Sequence, residues 1–180
     1  MKAVAVYCGA NAGAAPIYAD AARAMGRALV AQGLELVFGG GHVGLMGTIA
    51  DEVLRQGGKA RGVIPQQLVD RELAHPGLTE LFVVKDMHER KALMASLADG
   101  FVAMPGGMGT LEELFEMLTW SQLGIHHKPI GVLNVDGFYD QLIGFLAHAN
   151  EAGFIRPQHM GLLKVSSDPE ALLALLNTAS

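Results

Sequence analysis

Short apolar runs alternate with longer segments of helical periodicity along the chain, and this alternation restricts the fold more than any other feature. The apolar runs predict strands at Ala3–Tyr7, Glu35–Phe38, Ala60–Ile64, Leu81–Val84, Phe101–Met104, Ile130–Asn134 and Leu162–Val165. The longer segments predict helices at Pro16–Gln32, Gly44–Gln56, Met87–Ala98, Leu111–Leu123, Phe138–Ala152 and Pro169–Leu176. Apolar strands that alternate with helices form parallel sheets covered on both faces. The sequence therefore predicts a Rossmann-like, doubly wound α/β fold.

The composition is that of a globular protein with a substantial core. Of the 180 residues, 51% are hydrophobic and 17% are charged, and no linker or repeat interrupts them, so we expect one domain over residues 1–180. The net charge of −5 argues against nucleic acid or an anionic membrane as a partner.

The single Cys8 excludes an internal disulfide and is expected to be a small buried residue rather than a nucleophile. The short start before the first strand is not expected to be a signal peptide, and no apolar stretch reaches membrane-spanning length, so we expect a cytoplasmic location.

The motif Pro-Gly-Gly-Met-Gly-Thr-Leu-Glu-Glu, residues 105–113, directly follows the apolar run 101–104. The order is a buried strand, a glycine turn and a helix start. Glycines let the backbone approach a ligand, and a helix N-terminus offers unpaired N–H groups and the positive end of the helix dipole. The motif closes on two adjacent carboxylates, Glu112 and Glu113. It predicts an anion cradle beside a carboxylate, and so chemistry on a phosphorylated small molecule.

A purely structural explanation of part of this motif stays open. Thr110 and Glu113 have the Thr-x-x-Glu spacing of a capping box, in which the glutamate bonds back to the N–H of the cap residue. A capping box accounts for these two residues, but not for the proline and the three glycines before them.

A second glycine run, residues 39–44, formally matches the dinucleotide fingerprint Gly-x-Gly-x-x-Gly. The run follows the second strand instead of the first, and no acidic residue in Lys59–Pro65 could hold a ribose hydroxyl, so binding of NAD is not favoured. We interpret Gly40, Gly41 and Gly44, together with Gly9 after the first strand, as a possible phosphate or ribose wall. A tight turn without a ligand is the alternative.

Two adjacent cations, Arg90 and Lys91, lie on the predicted inner face of the helix that starts at Met87. Asp86 is expected to cap this helix, with Glu89 at its third position. Charges on an inward face are costly unless anions meet them. The alternative is that both stems pack on apolar surface while the charged heads reach water.

The predicted helix 111–123 is apolar on two faces. One face carries large apolar residues at helical spacing, namely Leu111, Leu114, Phe115 and Leu118. Met117 and Trp120 lie nearly opposite, alongside Glu113. A helix that is apolar on two faces is buried on two sides, and in a small chain we expect the second side to meet a symmetry mate. We therefore expect a homodimer with Glu113 near its interface and Thr119 at the flank.

These motifs together resemble the Lonely Guy family of nucleotide phosphoribohydrolases. The nine-residue motif is preceded by Met87-His88-x-Arg90-Lys91, about one helix upstream. Further matches are the glycine segments 39–41 and 44–47, the run 119–126 and the segment 131–139, all in the family's order. The matches extend from Val6 to about Phe154. Met108 departs from the family pattern, which often has an aromatic residue there, and Ala10 and Asn11 replace the usual hydroxyl residues.

The resemblance implies hydrolysis of the N-glycosidic bond of an adenosine 5′-monophosphate, with or without an N6 substituent, to free base and ribose 5-phosphate. It implies that Arg90 and Glu113 are catalytic. The substrate-binding positions that it implies are Glu72, Lys91, Gly106, Gly107, Met108, Gly109, Thr110, Glu112 and Thr119. No recognisable motif surrounds Glu72, so a solvated loop carboxylate remains an alternative for this residue. Water is the other reactant, so no organic cofactor is expected, and the spacing of the histidines indicates no metal site.

A protein of another class could use the same cradle, namely a non-catalytic carrier of a nucleotide or cofactor. The presence of both Arg90 and Glu113 favours the enzyme over the carrier. Members of the family have also been labelled lysine decarboxylases, but the cradle alone cannot supply a pyridoxal-phosphate site.

Overall fold

The computed structural model describes residues 1–71 and 73–178. Its strands are β1 (Ala3–Tyr7), β2 (Glu35–Phe38), β3 (Ala60–Pro65), β4 (Glu80–Val84), β5 (Gly100–Ala103), β6 (Ile130–Leu133) and β7 (Leu163–Ser166). Its helices are α1 (Pro16–Ala31), α2 (Gly44–Arg55), α3 (Gln66–Val69), α4 (Met87–Leu97), α5 (Met108–Gln122), α6 (Asp140–Glu151) and α7 (Pro169–Thr178), with 3₁₀ turns at Val135–Gly137 and Pro157–Leu162. None of the helices in the described ranges is long and apolar enough to cross a membrane.

All neighbouring strands pair in parallel, in the order β4-β3-β2-β1-β5-β6-β7. The chain moves outward from β1 to β4, then crosses to β5 and moves outward on the other side. The strand order therefore reverses between β1 and β5, and a crevice opens there at the carboxyl ends of the strands. The N–H of Gly9 donates to the carbonyl of Pro105 at 3.0 Å, which ties together the loops after these two strands. The predicted Rossmann-like α/β class is confirmed.

Helices cover both faces of the sheet, and each face has its own apolar core. Val4 and Leu36 point to the side of α1, α2 and α7, where 0% of either residue is exposed. Ala5 and Val37 point to the side of α4, α5 and α6, and are equally buried. Burial on both faces explains why the strands read as continuous apolar runs.

The start of α2 packs directly on the loop after β1. Gly44 has φ of 61°, and a Cβ at this position would lie 2.3 Å from the carbonyl carbon of Ala10. The next residue, Leu45, donates its N–H to the carbonyl of Gly9 at 3.0 Å. The turn and the close approach both require glycine at position 44.

Helix α5 differs from the sequence prediction in its start and in its buried face. It begins at Met108, three residues early, with Gly107 as its cap. The prediction that Met117 lies on an outward face is wrong, because this side chain is 0% exposed and packs in the same core cluster as Leu114. Trp120 is only partly buried against that cluster. The short α3 is absent from the sequence prediction.

Candidate active site

A cavity of about 390 Å³ opens at the carboxyl ends of β1 and β5, where the strand order reverses. Its walls include the loop of residues 8–13, the loop of residues 105–107, the start of α5 and the Arg90 side chain. Apolar side chains from several other elements complete the wall: Tyr18, Leu45, Met46, Met87 and Phe138. The volume falls in the range of small-molecule binding sites.

Glu113 lines this cavity from the second turn of α5, and only 8% of the residue is exposed. Its Oε1 atom lies 3.8 Å from Nη1 of Arg90. The capping-box alternative is wrong for this residue, because the cap of α5 is Gly107 and Thr110 already lies within the helix. The Glu113 carboxylate therefore faces the Arg90 guanidinium rather than the start of its own helix.

The Arg90 guanidinium is held in place by backbone carbonyls. Its Nε donates to the carbonyl of Val63 at 3.0 Å, and its Nη2 donates to the carbonyl of Gly39 at 3.1 Å. The residue is 8% exposed, so the alternative in which its charged head reaches water is wrong. The cap of α4 follows the prediction, since Asp86 accepts hydrogen bonds from the N–H groups of His88 and Glu89. A capped helix and two carbonyls thus fix the direction of the cation toward Glu113.

Lys91 points inward as predicted, and its ammonium joins α4 to α5. Its Nζ donates to the carboxylate of Glu112 and to that of Glu116, the latter at 3.1 Å. Burial lowers the pKa of Lys91, but the hydrogen bonds to the two glutamates outweigh that effect and leave the pKa raised. Lys91 is thus a cation enclosed by two carboxylates, and Glu112 lines the cavity whereas Lys91 does not.

The buried position of Glu113 changes the pKa of its carboxyl group. Burial raises the pKa of Glu113 to about 7, with the nearby Arg90 opposing the rise and the Glu112 carboxylate adding to it. The carboxyl group therefore exchanges its proton near neutral pH, which is the range expected of a general acid or base. The predicted burial of Cys8 is confirmed, and burial also raises the pKa of its thiol well above the usual range.

The first turn of α5 offers N–H groups to the cavity. The first N–H groups of a helix have no partner within the helix, and no described side chain caps those of α5. A Cβ added at Gly107 or Gly109 would meet no atom within 4 Å, so open space adjoins this turn. Gly106, Gly107, Gly109 and Thr110 all line the cavity, as predicted from the motif. The arrangement can accept an anion about one helical turn from Glu113.

Several residues singled out from the sequence lie away from this cavity. The side chain of Met108 is 86% exposed at the start of α5, and Thr119 lies on another side of the same helix. Of the expected wall, Gly9 lines the cavity, whereas Gly40, Gly41 and Gly44 do not. The backbone of Gly40 and Gly41 pairs with the segment 73–75, and Gly44 packs against the backbone of Ala10. Glu72 lies outside the described residues.

Sequence reasoning overlooked the aromatic part of the cavity wall. Tyr18 and Phe138 are in edge-to-face contact, with ring centroids 5.9 Å apart, and Phe138 is 42% exposed. Phe138 could have been predicted, because it lies in the segment that follows β6, just as the loops 8–13 and 105–107 follow β1 and β5. Tyr18 lies within α1 and does not follow a strand, so the sequence pattern did not place it near the site. Within residues 1–71 and 73–178, no group of three or more His, Cys, Asp or Glu side chains is arranged to hold a metal ion.

Protonation of Glu113 makes the stability of the fold depend on pH. The folded-state pKa of about 7 lies above the usual value of 4.5, so the contribution of this group is fully present below pH 4.5 and is lost as the pH rises from there through about 7. Glu113→Gln lacks this titration and should gain about 2 kcal/mol relative to the wild type between pH 5 and pH 8. Urea unfolding at both pH values measures the change, with the exposed Glu151→Gln as control. Parallel pH dependences of wild type and Glu113→Gln would contradict the assignment.

A doubly wound parallel sheet whose crevice holds a buried Glu–Arg pair beside a helix N-terminus places the protein in the Rossmann-like α/β class. The family model described as "Possible lysine decarboxylase" matches residues 46–176. The cytokinin riboside 5′-monophosphate phosphoribohydrolase of Rhodococcoides fascians is 49% identical over 178 residues, which are 98% of this chain and 90% of that protein. A protein of the same name from Arabidopsis thaliana is 46% identical over 175 residues, 97% of this chain and 81% of its own. The chain belongs to this family, the Lonely Guy family that its motifs resemble.

Solved structures share the fold at much lower sequence identity. A molybdenum cofactor carrier protein from Chlamydomonas reinhardtii gives a TM-score of 0.74 at 19% identity, covering 99% of this chain and 97% of that one. A molybdenum cofactor binding protein from Rippkaea orientalis gives a TM-score of 0.73 at 22% identity, covering 98% and 96%. At these identities the likeness concerns the fold alone.

Proposed function

We propose that this protein hydrolyses the N-glycosidic bond of adenosine 5′-monophosphates, with or without an N6 substituent. The bond between the base nitrogen and C1′ of the ribose breaks, and water supplies the hydroxyl group on C1′. The base leaves with a proton, and ribose 5-phosphate is the second product. The names of relatives that are 46–49% identical over nearly the whole chain support this activity.

One observation carries the proposal: the buried Glu113–Arg90 pair lies in the same cavity as the unpaired start of α5. The phosphate binds the N–H groups of the α5 first turn, which places the sugar toward Glu113, one turn further on. Positive charge develops on the sugar as the glycosidic bond lengthens. The Glu113 carboxylate stabilises that charge and accepts the proton of the attacking water. Arg90 keeps the carboxylate oriented.

Lys91 supports phosphate binding from behind the cavity wall. Glu112, Glu113 and Glu116 would otherwise present three carboxylates within about two turns of the proposed phosphate site. The Lys91 ammonium offsets the charge of Glu112 and Glu116 through its two hydrogen bonds. A phosphate therefore meets less repulsion at the start of α5.

Two other functions fit the cavity less well. A carrier has no use for a buried carboxylate whose pKa lies near 7, opposite an arginine. A pyridoxal-phosphate decarboxylase needs a lysine for its Schiff base, and the described residues that line the cavity include none.

Incubation with AMP and with N6-isopentenyl-AMP, followed by mass spectrometry, tests the proposal. Equal amounts of free base and ribose 5-phosphate are expected, and a nucleotide that is bound but recovered intact would instead indicate a carrier.

We also propose that the protein acts as a homodimer, although not through the surface first expected. A second, apolar hollow of about 350 Å³ lies between α5, α6 and β7. Leu123, Phe145 and Phe154 are adjacent in sequence to residues that line this hollow, and they are 66%, 63% and 88% exposed. Exposed large apolar side chains on the elements that form an apolar hollow mark an interaction surface, and a second copy of the chain would cover it.

The dimer can be tested without disturbing the core. Phe145→Glu combined with Phe154→Glu should give monomers at low micromolar concentration, because each charge would be buried in the interface. Leu175→Glu serves as the matched control, since Leu175 is 42% exposed on α7, across the sheet from α5 and α6. Light scattering measures the mass of each variant. A wild type that is monomeric under the same conditions would contradict the proposed dimer.

A further inference from the structure

Gly39, the first residue after β2, is a buried glycine that the nucleotide-binding role does not explain. It does not line the cavity, and its φ lies outside the left-handed region that favours glycine. Any residue could therefore adopt its backbone torsion φ. The requirement for glycine at this position has to come from its surroundings.

Those surroundings are the guanidinium of Arg90. A Cβ at position 39 would lie 1.8 Å from Nη2 and 3.0 Å from Cζ of Arg90. The next nearest atom, Sδ of Met46 at 3.0 Å, belongs to a flexible side chain that can rotate away. The same Nη2 donates to the Gly39 carbonyl at 3.1 Å, so the cation occupies the place of the missing side chain.

The guanidinium cannot give way without leaving Glu113. On its other side Nε is bonded to the Val63 carbonyl at 3.0 Å, and Nη1 faces Glu113 Oε1 at 3.8 Å. A planar, rigid group that is displaced at Nη2 also moves at Nη1. A methyl group at position 39 would therefore change the distance between the cation and the carboxylate.

We propose that Gly39 is a positioning residue: the space left by its missing side chain is the socket that holds Arg90 against Glu113. The socket is formed across 51 positions of sequence, between the end of β2 and the first turns of α4. Its effect on turnover rests on the proposed nucleotide hydrolysis, whereas its effect on packing does not.

The test compares Gly39→Ala in two backgrounds, wild type and Arg90→Ala. In the wild type, Gly39→Ala should lower base release from AMP by about 100-fold, because displaced catalytic groups cost that much. It should also lower Tm by at least about 3 °C. In the Arg90→Ala background the clash is gone, so the same substitution should change neither Tm nor the affinity for AMP measured by calorimetric titration.

A pH profile separates positioning from general damage. Arg90 holds the pKa of Glu113 below the value that burial alone would give. Displacing the cation should therefore move the midpoint of the rate profile of Gly39→Ala to higher pH than in the wild type. A packing defect that leaves the pair intact would lower the rate without moving that midpoint, and this result would overturn the proposal.

Two other outcomes would also overturn it. An equal loss of Tm in both backgrounds would mean that the loop itself needs glycine. A loss of AMP affinity that persists in Arg90→Ala would mean that Gly39 is needed for the approach of the ligand. If the wild type releases no base from any nucleotide, the proposed function fails, and the comparison of Tm values still decides whether the socket exists.

Discussion

Glu113→Gln is expected to lower kcat for base release at least about 100-fold while the affinity for AMP changes little. The amide has the size of the carboxylate but cannot stabilise a developing positive charge or accept a proton from water. Arg90 keeps its carbonyl partners in the variant, so the shape of the cavity should be retained. Quenched-flow or steady-state assays of free base provide kcat, and calorimetric titration with AMP provides the affinity. The exposed Glu151→Gln is the control for loss of a carboxylate elsewhere.

The pH dependence of the wild-type rate shows whether Glu113 acts as a base or as an acid. Because the ionised form of Glu113 is the active one in this mechanism, kcat should rise with pH through a midpoint near 7 and then level off. Near-normal turnover by Glu113→Gln would remove the mechanism. A wild-type rate that falls as pH rises through 7 would mean that Glu113 acts as an acid instead.

AMP should be cleaved at least about 100-fold more efficiently than adenosine, measured as kcat/KM. The start of α5 offers N–H groups and the positive end of a helix dipole, and only the nucleotide brings an anion to it. The nucleoside retains the base and the sugar but loses the contacts that place C1′ beside Glu113. Parallel assays on both substrates measure the ratio.

A proline variant tests which atoms cause this preference. Met108→Pro removes one N–H at the first position of α5, where proline is tolerated, and the extended Gly107 before it is compatible with proline. The AMP-to-adenosine ratio should fall by about tenfold, as expected for loss of a hydrogen bond to a charged group. Met108→Ala keeps the N–H and should retain most of the ratio. Equal rates on AMP and adenosine in the wild type would reject the anion site.

The course of the chain was largely predictable, because it depends on local patterns. Strands buried on both faces read as apolar runs, and the four loops that follow β1, β2, β4 and β5 had to share one edge of a parallel sheet. The inward face of Arg90 and Lys91 followed from helical spacing and from the cap at Asp86. These features require only neighbours within a few residues.

The buried face of α5 was predicted wrongly because residues of the candidate active site occupy part of it. Its buried positions include Thr110 and Glu113, and polar residues at buried positions hide a core-facing stripe from any apolar periodicity. Met117 therefore appeared to face outward, although it completes the core. Sequences depart from local rules most often at functional positions.

Other features depend on contacts that no local pattern contains. The pairing of the segment 73–75 with Gly40 and Gly41, which removes those glycines from the cavity wall, joins residues about 30 positions apart. Lys91 was expected to meet an anion, but its partners on α5 are fixed only by the packing of two helices. The place of a charged group on a helix face is readable from the sequence, and the identity of its partner is not.

A crystal structure of Glu113→Gln with AMP tests the central claim most directly, because it locates the phosphate and the sugar at once. The account predicts phosphate oxygens within about 3 Å of N–H groups in the first turn of α5. It also predicts the C1′ atom beside the side chain of residue 113, with Arg90 still bonded to the carbonyls of Gly39 and Val63. A nucleotide seated with its phosphate away from α5, or with C1′ out of reach of residue 113, would contradict it.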